Sequence, residues 1–360
     1  MKEDEIAYLR LINQKLTGDG DYSPREIAGW MGALQAQDYN MVKWAFGIRM
    51  NNATKETIDN AIDNSDIIRT HLLRPTWHFV ASENLIWLLN LTAPRIKPTL
   101  KYRQDSLDLD LPVLERSNGI ISAALKGGKH LTRQEIVSAL ELEGVLLGDN
   151  RASHLLLWAE LSGIVCSGRH SGNKPTYALI EELVRGDNKI SREQSLELLT
   201  VKYFTSHGPA TVKDYGWWSG LTSTDIKTGM RLAEDKLKKF SDGSKDLWMG
   251  KNSDLAGKVK PVLLLPAYDE YLISYTDRSA VMTKVNHIKA VSDNGVFRPV
   301  VLIEGQVAGI WRPSANKDKI IAEVMLFGKV PRSRKAGIEE AASEYGNFIG
   351  KKAEVKYTDK

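Results

Sequence analysis

Apolar Ile6, Leu9, Leu11 and Leu16 predict a first helix over about residues 4–15. Ser23-Pro24-Arg25-Glu26 then has the chemistry of a helix start, with a hydroxyl at the N-cap, proline at the first helical position and a glutamate placed to close a capping box. Ile27, Trp30, Met31 and Leu34 follow at spacings of three, one and three, so the second helix carries one apolar face. A third helix is expected at 56–64. The run IIRTHLLRPTWHFV (67–80) turns to β-branched and aromatic residues broken by Pro75, which predicts two short strands.

The same order recurs twice. A helix near 115–126 ends at Gly127-Gly128, Thr132 and Glu135 form a second capping box, and RASHLLLWAELSG (151–163) supplies a helix ending at Gly163. IVCSG and PTYALI read as strands around the basic loop RHSGNK, which holds Arg169 and Lys174. Between 191 and 250, SREQSLELLTVKYFTSH is helical, Thr211 and Asp214 bracket a short helix through GWWSG, Ser223 begins another, and residues 236–249 make a hairpin around SDGSKD. Helix, helix, helix, strand, loop, strand is the winged-helix plan. From about 258 the stretches VKPVLLLPAYDEYLISY, RPVVLIEGQVAGIWRP and KIIAEVMLF are strand-like, with Glu304-Gly305-Gln306 at a turn and AGIEEAASEYGNFI as a single helix. The expected fold is α+β: tandem winged-helix units at 1–103, 113–185 and 190–250, then a small β-barrel-like region with one helix at 258–360. Short polar linkers are expected near 104–112 and 250–259.

Composition narrows the class. With 42% hydrophobic and 26% charged residues the chain is globular and not disordered. A single cysteine, Cys166, excludes an internal disulfide and fits a reducing compartment. MKEDEIAYLR lacks a signal-peptide core and no apolar run nears the ~20 residues that span a bilayer, so a cytoplasmic protein away from membranes is expected. The net charge of +4 is too mild to identify a nucleic-acid partner. Its distribution is more informative: PRIKPTLKYR holds Arg95, Lys97, Lys101 and Arg103 without an acid, and PRSRK clusters Arg332, Arg334 and Lys335. Such runs are either solvated surface or phosphate contacts.

Common catalytic signatures are missing. The chain has no GxSxG, HExxH, P-loop or GxGxxG, and its seven histidines lack partners at ligand spacing, so neither a metal nor a cofactor is expected. Two stretches concentrate other chemistry. RTHLLRPTWHFV brings Arg69, His71, Arg74, Trp77 and His78 within ten residues, either as a packed hairpin or as a basic, aromatic ridge against a phosphate backbone. LPAYDEYLISYTDR places Asp269, Glu270, Asp277 and Arg278 in an apolar strand context, where an Asp277–Arg278 or cross-strand ion pair is expected and a site role for Asp269 stays open.

LQAQ (34–37), RTHLLRPTWHFV (69–80), HGPAT with WWSGL (207–221), LLPAYDEYL (264–272) and GQVAGIWR (305–312) together resemble the family of winged-helix DNA glycosylases typified by AlkZ and YcaQ. The likeness runs in order over nearly the whole chain. It implies tandem winged-helix units and a β-barrel in a C-shaped body around double-stranded DNA carrying alkylated or crosslinked purines. The family's catalytic signature, glutamine, an apolar residue, then glutamine or aspartate, falls on Gln35, Ala36 and Gln37; Asp38 lies one residue too late to match the aspartate version. Arg69, His71, Arg74, Trp77, His78, Arg95, Lys97, Lys101, Arg169 and Lys174 are the expected DNA contacts, with Asp38 and Asp269 as further site candidates.

Neutral amides suit one particular reaction. An N7-alkylated purine already carries positive charge and leaves as a neutral molecule, so little general-acid help is needed. What remains is to place a water and stabilise an oxocarbenium-like sugar with preorganised dipoles. A glutamine offers both an acceptor and a donor without a shifted pKa. Gln35 and Gln37 share a face if the chain is extended after Leu34. The contrasting readings are that the amides cap a helix end, or that the protein is a non-catalytic winged-helix DNA-binding or regulatory protein.

Overall fold

A computed structural model describes residues 1–18, 20–148, 150–172, 174–184, 190–241, 245–251, 253, 257–315 and 318–358. The first third contains helices α1 (Glu3–Asn13), α2 (Pro24–Met31), α3 (Met41–Gly47) and α4 (Lys55–Asp63), with strand β1 (Leu34–Gln35) between α2 and α3. Strands β2 (Ile67–Leu72) and β3 (Thr76–Ala81) and helices α5 (Leu85–Thr99) and α6 (Lys101–Ser106) follow. Ser23 and Glu26 form the expected capping box, and Thr54 with Thr57 makes another at α4. The basic run at 94–103 is helical, because α5 continues through Pro94 and Pro98. Much of the expected linker at 104–112 is likewise helix.

The second segment is α7 (Leu111–Leu125), β4 (Leu131–Thr132), α8 (Arg133–Leu142), α9 (Arg151–Leu161), the hairpin β5 (Val165–Ser171) and β6 (Lys174–Leu179), and α10 (Ile180–Leu183). The third is α11 (Arg192–His207), α12 (Val212–Ser219), α13 (Ser223–Leu232), β7 (Leu237–Ser241) and β8 (Asp246–Gly250). Capping boxes at Thr132, Ser191 and Thr211 start α8, α11 and α12. Within SDGSKD, residues 242–244 lie outside the described residues, as do 252 and 254–256 of the expected second linker and 173 of RHSGNK.

The last segment contains β9 (Val262–Leu265), α14 (Glu270–Ile273), α15 (Lys284–Ala290), β10 (Val300–Ile303), β11 (Gln306–Ala315), β12 (Lys319–Leu326), α16 (Arg332–Phe348) and β13 (Lys352–Tyr357). Its sheet has the order β13-β12-β11-β10-β9, a curled half-barrel with one parallel pair, β12 with β13. Glu304-Gly305 makes the β10–β11 turn, both at positive φ (52° and 78°), which glycine tolerates best. Three expectations fail here. The region has three helical segments and not one, and LPAYDEYLISY leaves the sheet after Leu265: Asp269 becomes the N-cap of α14, accepting the Tyr271 amide at 2.9 Å. Asp277 pairs with Lys245 at 2.8 Å, not with Arg278.

Among the described residues three larger apolar cores, with one small cluster of Ala93, Ile96 and Leu161, hold these elements. The largest joins residues of α1–α4 and β3 to β9–β12 and α16, so the two ends of the chain fold together. Trp44 donates to the Leu264 carbonyl at 2.7 Å and Trp311 to that of Leu265 at 2.8 Å. A second core packs Ile68, Leu72 and Val80 against α5, α11 and α12. The third gathers α7–α9 and the β5–β6 hairpin. Among the described residues no helix is long and apolar enough to cross a membrane.

Candidate active site around the QAQ strand

Helix α2 stops at Gly32, whose φ of 80° turns the chain out of the helix. The following residues join the β2–β3 hairpin as a third, antiparallel strand, with Leu34 opposite Phe79 and Gln35 opposite His78. The Ala36 amide donates to the Trp77 carbonyl at 2.7 Å, and the Ala36 carbonyl accepts from Arg69 Nε and Nη2 at 3.2 and 2.9 Å. The backbone of the QAQ stretch is thereby fixed in extended form.

The two amides occupy different surroundings. Gln35 is 7% exposed, and its Oε1 accepts from Arg74 Nη2 at 3.0 Å. Its backbone N–H donates to Glu270 Oε1 at 2.6 Å. Gln37 is exposed, on the wall of a groove of about 840 Å³ shared with Tyr268, Phe297, Arg298, Arg312 and Tyr345. Asp38 lines the same groove, and its Oδ1 accepts the amides of Asn40 and Met41 at 3.0 Å, anchoring the entry to α3.

Beneath Gln35 lies a buried polar cluster. Glu270 is 2% exposed and accepts from Trp218 Nε1 at 3.1 Å and from the Ser274 hydroxyl; His207 Nε2 stands 3.5 Å away. Burial alone would raise the Glu270 carboxyl, but the nearby His207 ring and the donors Ser274 and the Gln35 amide outweigh burial and hold it at about 2. Burial lowers the pKa of His207, whose ring stacks on Tyr203 at 4.9 Å. An ionised carboxylate therefore lies one hydrogen bond behind the QAQ backbone, with the Arg74 guanidinium on the Gln35 side chain.

The hairpin residues divide sharply. Arg69 stacks over Trp77 at 3.9 Å and lies 5.1 Å from the Tyr39 ring, Arg74 sits 4.9 Å over Trp217, and the rings of His71 and Trp77 are 3.9 Å apart. These side chains form one partly exposed ridge beside the amides. His78, expected among the DNA contacts, is 1% exposed, its Nδ1 bonded to the Thr76 carbonyl at 2.9 Å, and burial holds its pKa down to about 4. It faces the core because alternate residues of β3 point to opposite sides. Asp269 is equally inaccessible: its carboxylate forms a bidentate pair with Arg49 at 2.8 and 2.9 Å, and both side chains are fully buried.

The remaining basic candidates lie elsewhere. On α5, half-buried Arg95 approaches the Leu73 carbonyl at 3.5 Å and Lys97 lies 4.5 Å over Trp158. Exposed Lys101 pairs with Asp105 on α6, and exposed Arg169 and Lys174 belong to the β5–β6 hairpin. From that hairpin His170 reaches back to the site, Nε2 meeting the Tyr39 hydroxyl at 2.7 Å and Nδ1 meeting Asp63 at 2.8 Å. Sequence reasoning gave no site role to His207 or Tyr39 and noted Glu270 only as one of several charges in an apolar stretch. The one available signal was an acid, Glu270, inside an apolar run.

A sequence profile of the AlkZ-like DNA glycosylase family matches residues 28–348. An interstrand DNA cross-link repair glycosylase from Streptomyces sahachiroi is 23% identical over 330 residues, which span 85% of this chain and 86% of that protein. The solved structure of the Streptomyces sahachiroi DNA glycosylase AlkZ superposes with a TM-score of 0.81 at 19% identity, over 99% of this chain and all of that one. A profile that takes in the QAQ strand, the hairpin ridge and the buried acid behind them, together with a fold shared end to end, gives the assignment: the chain belongs to the AlkZ-like DNA glycosylase family.

Proposed function

We propose that this glycosylase hydrolyses the N-glycosidic bond of N7-alkylated or crosslinked purines in duplex DNA, with Gln35 and Gln37 as the catalytic amides. The observation that carries the reading is the unequal seating of the two. Gln37 stands free at the mouth of an aromatic and arginine-lined groove, while Gln35 is pinned through its oxygen by Arg74. In this division Gln37 holds the attacking water and turns its carbonyl dipole toward the anomeric carbon. Gln35 keeps the strand in register and offers its remaining amide donors. Water attacks C1′, the C–N bond breaks, and its electron pair neutralises the cationic base; the proton of the attacking water goes to solvent.

The name of the Streptomyces relative, a cross-link repair enzyme, supports a bulky adduct as substrate. A groove of about 840 Å³ beside Gln37 has room for more than a methyl group. The helix-rich segments at 1–103, 113–185 and 190–250 are read as tandem winged-helix units. Arg69, His71, Arg74 and Trp77 then meet the duplex beside the lesion, and Arg95, Lys97, Lys101, Arg169 and Lys174 meet phosphates further along it. Phosphate neutralisation makes such binding salt-dependent.

The test is unhooking of a nitrogen-mustard crosslink between two labelled strands. The parent protein is expected to release one strand as an abasic product, and the double variant Gln35→Ala, Gln37→Ala to retain DNA binding with at least a hundredfold slower release. Equal unhooking by both proteins removes the assigned amides, and binding without any product from the parent removes the substrate class.

A further inference from the structure

A second cavity, of about 510 Å³, opens between the β2–β3 hairpin, with Trp77 in its lining, and α9. Its volume lies within the roughly 300–1,000 Å³ of small-molecule sites. Trp77 and Tyr177 give it aromatic walls, and Arg103 and Arg133 line it as donors. Glu160 and His154, also in its lining, are 0% and 7% exposed.

These two side chains are only half satisfied. Glu160 Oε2 accepts from the Thr70 hydroxyl at 3.2 Å, the His71 amide at 2.9 Å and His71 Nδ1 at 2.7 Å. Glu160 Oε1 and His154 Nε2, both buried, have no hydrogen-bond partner among the described residues. A buried polar atom without a partner is destabilising, and two in the lining of one cavity call for a ligand that supplies hydrogen bonds. Flat aromatic walls select a flat ligand. An acceptor oxygen near arginine donors matches the Watson–Crick edge of a guanine-type base, with N–H donors beside a carbonyl oxygen.

We propose that this cavity binds a purine base outside the helix, packed against Tyr177 and the edge of Trp77, with a ring N–H donating to Glu160 Oε1 and O6 facing Arg103 and Arg133. The proposal rests on the glycosylase reading and adds a destination for the base that leaves the sugar. Enzymes that act on bases in duplex DNA commonly hold them in such a pocket, by edge hydrogen bonds and stacking. Trp77 is common to both places: its carbonyl fixes the QAQ strand and its ring lines the cavity.

Free 7-methylguanine, titrated calorimetrically into the full-length protein, tests this directly. Saturable one-to-one binding is expected, weakened at least tenfold by Glu160→Gln, the loss set by one hydrogen bond to a charged group. Because Glu160 also supports Thr70 and His71, the second variant is Ser153→Trp, which blocks the cavity from an exposed position on α9; it too is expected to lose at least tenfold while its thermal unfolding matches the parent. Base release from a duplex containing N7-methylguanine, measured on the same preparation, reports the glycosylase reading independently. A parent that excises the base but binds no free 7-methylguanine at millimolar concentration overturns the proposal, as does undiminished binding in Ser153→Trp. Inorganic phosphate binding in place of the base overturns it as well. A duplex carrying 2-aminopurine separates the two sources: a fluorescence rise lost in Ser153→Trp assigns the cavity to a base still joined to its sugar, and a flat signal beside intact free-base binding assigns it to the released base.

Discussion

Gln35 and Gln37, one residue apart, meet opposite environments because each answers to a different part of the chain. The two-residue spacing allowed an extended segment after Leu34 and equally a capped helix end, and the structure shows the extended one. Nothing local foretold that Glu270, 235 residues away, would hold the Gln35 amide. The hairpin was equally half-legible. Arg69, Arg74 and Trp77 lie beside the amides, whereas His78, expected with them among the DNA contacts, turns into the core, since a strand's alternation gives two faces without saying which is buried. Its burial has a measurable consequence. A histidine held neutral down to about pH 4, against an ordinary 6.5, lets the unfolded chain bind the extra proton first, so stability falls as pH drops from 6.5 toward 4. That single group removes roughly 3 kcal/mol across the window. Glu270 has the opposite kind of shift. Its contribution is complete above the ordinary 4.5 and is lost only as pH falls toward about 2, so it leaves the histidine window clear. Urea unfolding between pH 7 and 4 should show a steep loss in the parent and a shallower one in His78→Phe; parallel slopes would refute this origin.

Among the elements, α14 shows most clearly where periodicity fails. LPAYDEYLISY has the composition of a buried strand, yet only Val262–Leu265 pairs in the sheet. The chain leaves it after Leu265 and turns at Tyr268, with φ of 57°, so that Asp269 starts a turn of helix that carries Glu270 under the QAQ strand. Arg49, at the end of α3, makes this possible by holding both Asp269 oxygens while its own Nε and Nη1 donate to the Gln14 and Ala45 carbonyls. An arginine 220 residues upstream thus holds the carboxylate that also caps the helix. Arg49→Met strands a buried carboxylate and is expected to cost about 3–5 kcal/mol, whereas Arg49→Met with Asp269→Asn should recover part of the loss. Chemical denaturation of both variants checks this, and a single variant within 1 kcal/mol of the parent would show the pair to be dispensable.

At the scale of the whole molecule, the repeated helix and strand order was readable, because capping boxes and apolar faces are local signals. The assembly was not. Its largest core joins the first 81 residues to the C-terminal half-barrel, and the QAQ strand lies at that seam. Hydrophobic spacing states that a face is buried without naming what covers it. The seam explains why the site has one wall from each end of the chain: the hairpin with Arg69, Arg74 and Trp77 on one side, and Tyr268, Phe297 and Arg298 on the other.

The central claim is that a base already carrying positive charge lets neutral amides do the work of a carboxylate. Single-turnover base release compares it most directly, from two duplexes that differ only in N7-methylguanine or unmodified guanine at one position. Rapid release of the cationic base, none of the neutral one, and loss of release in Gln37→Ala are predicted. Comparable release of unmodified guanine, or an unimpaired Gln37→Ala, would contradict the account.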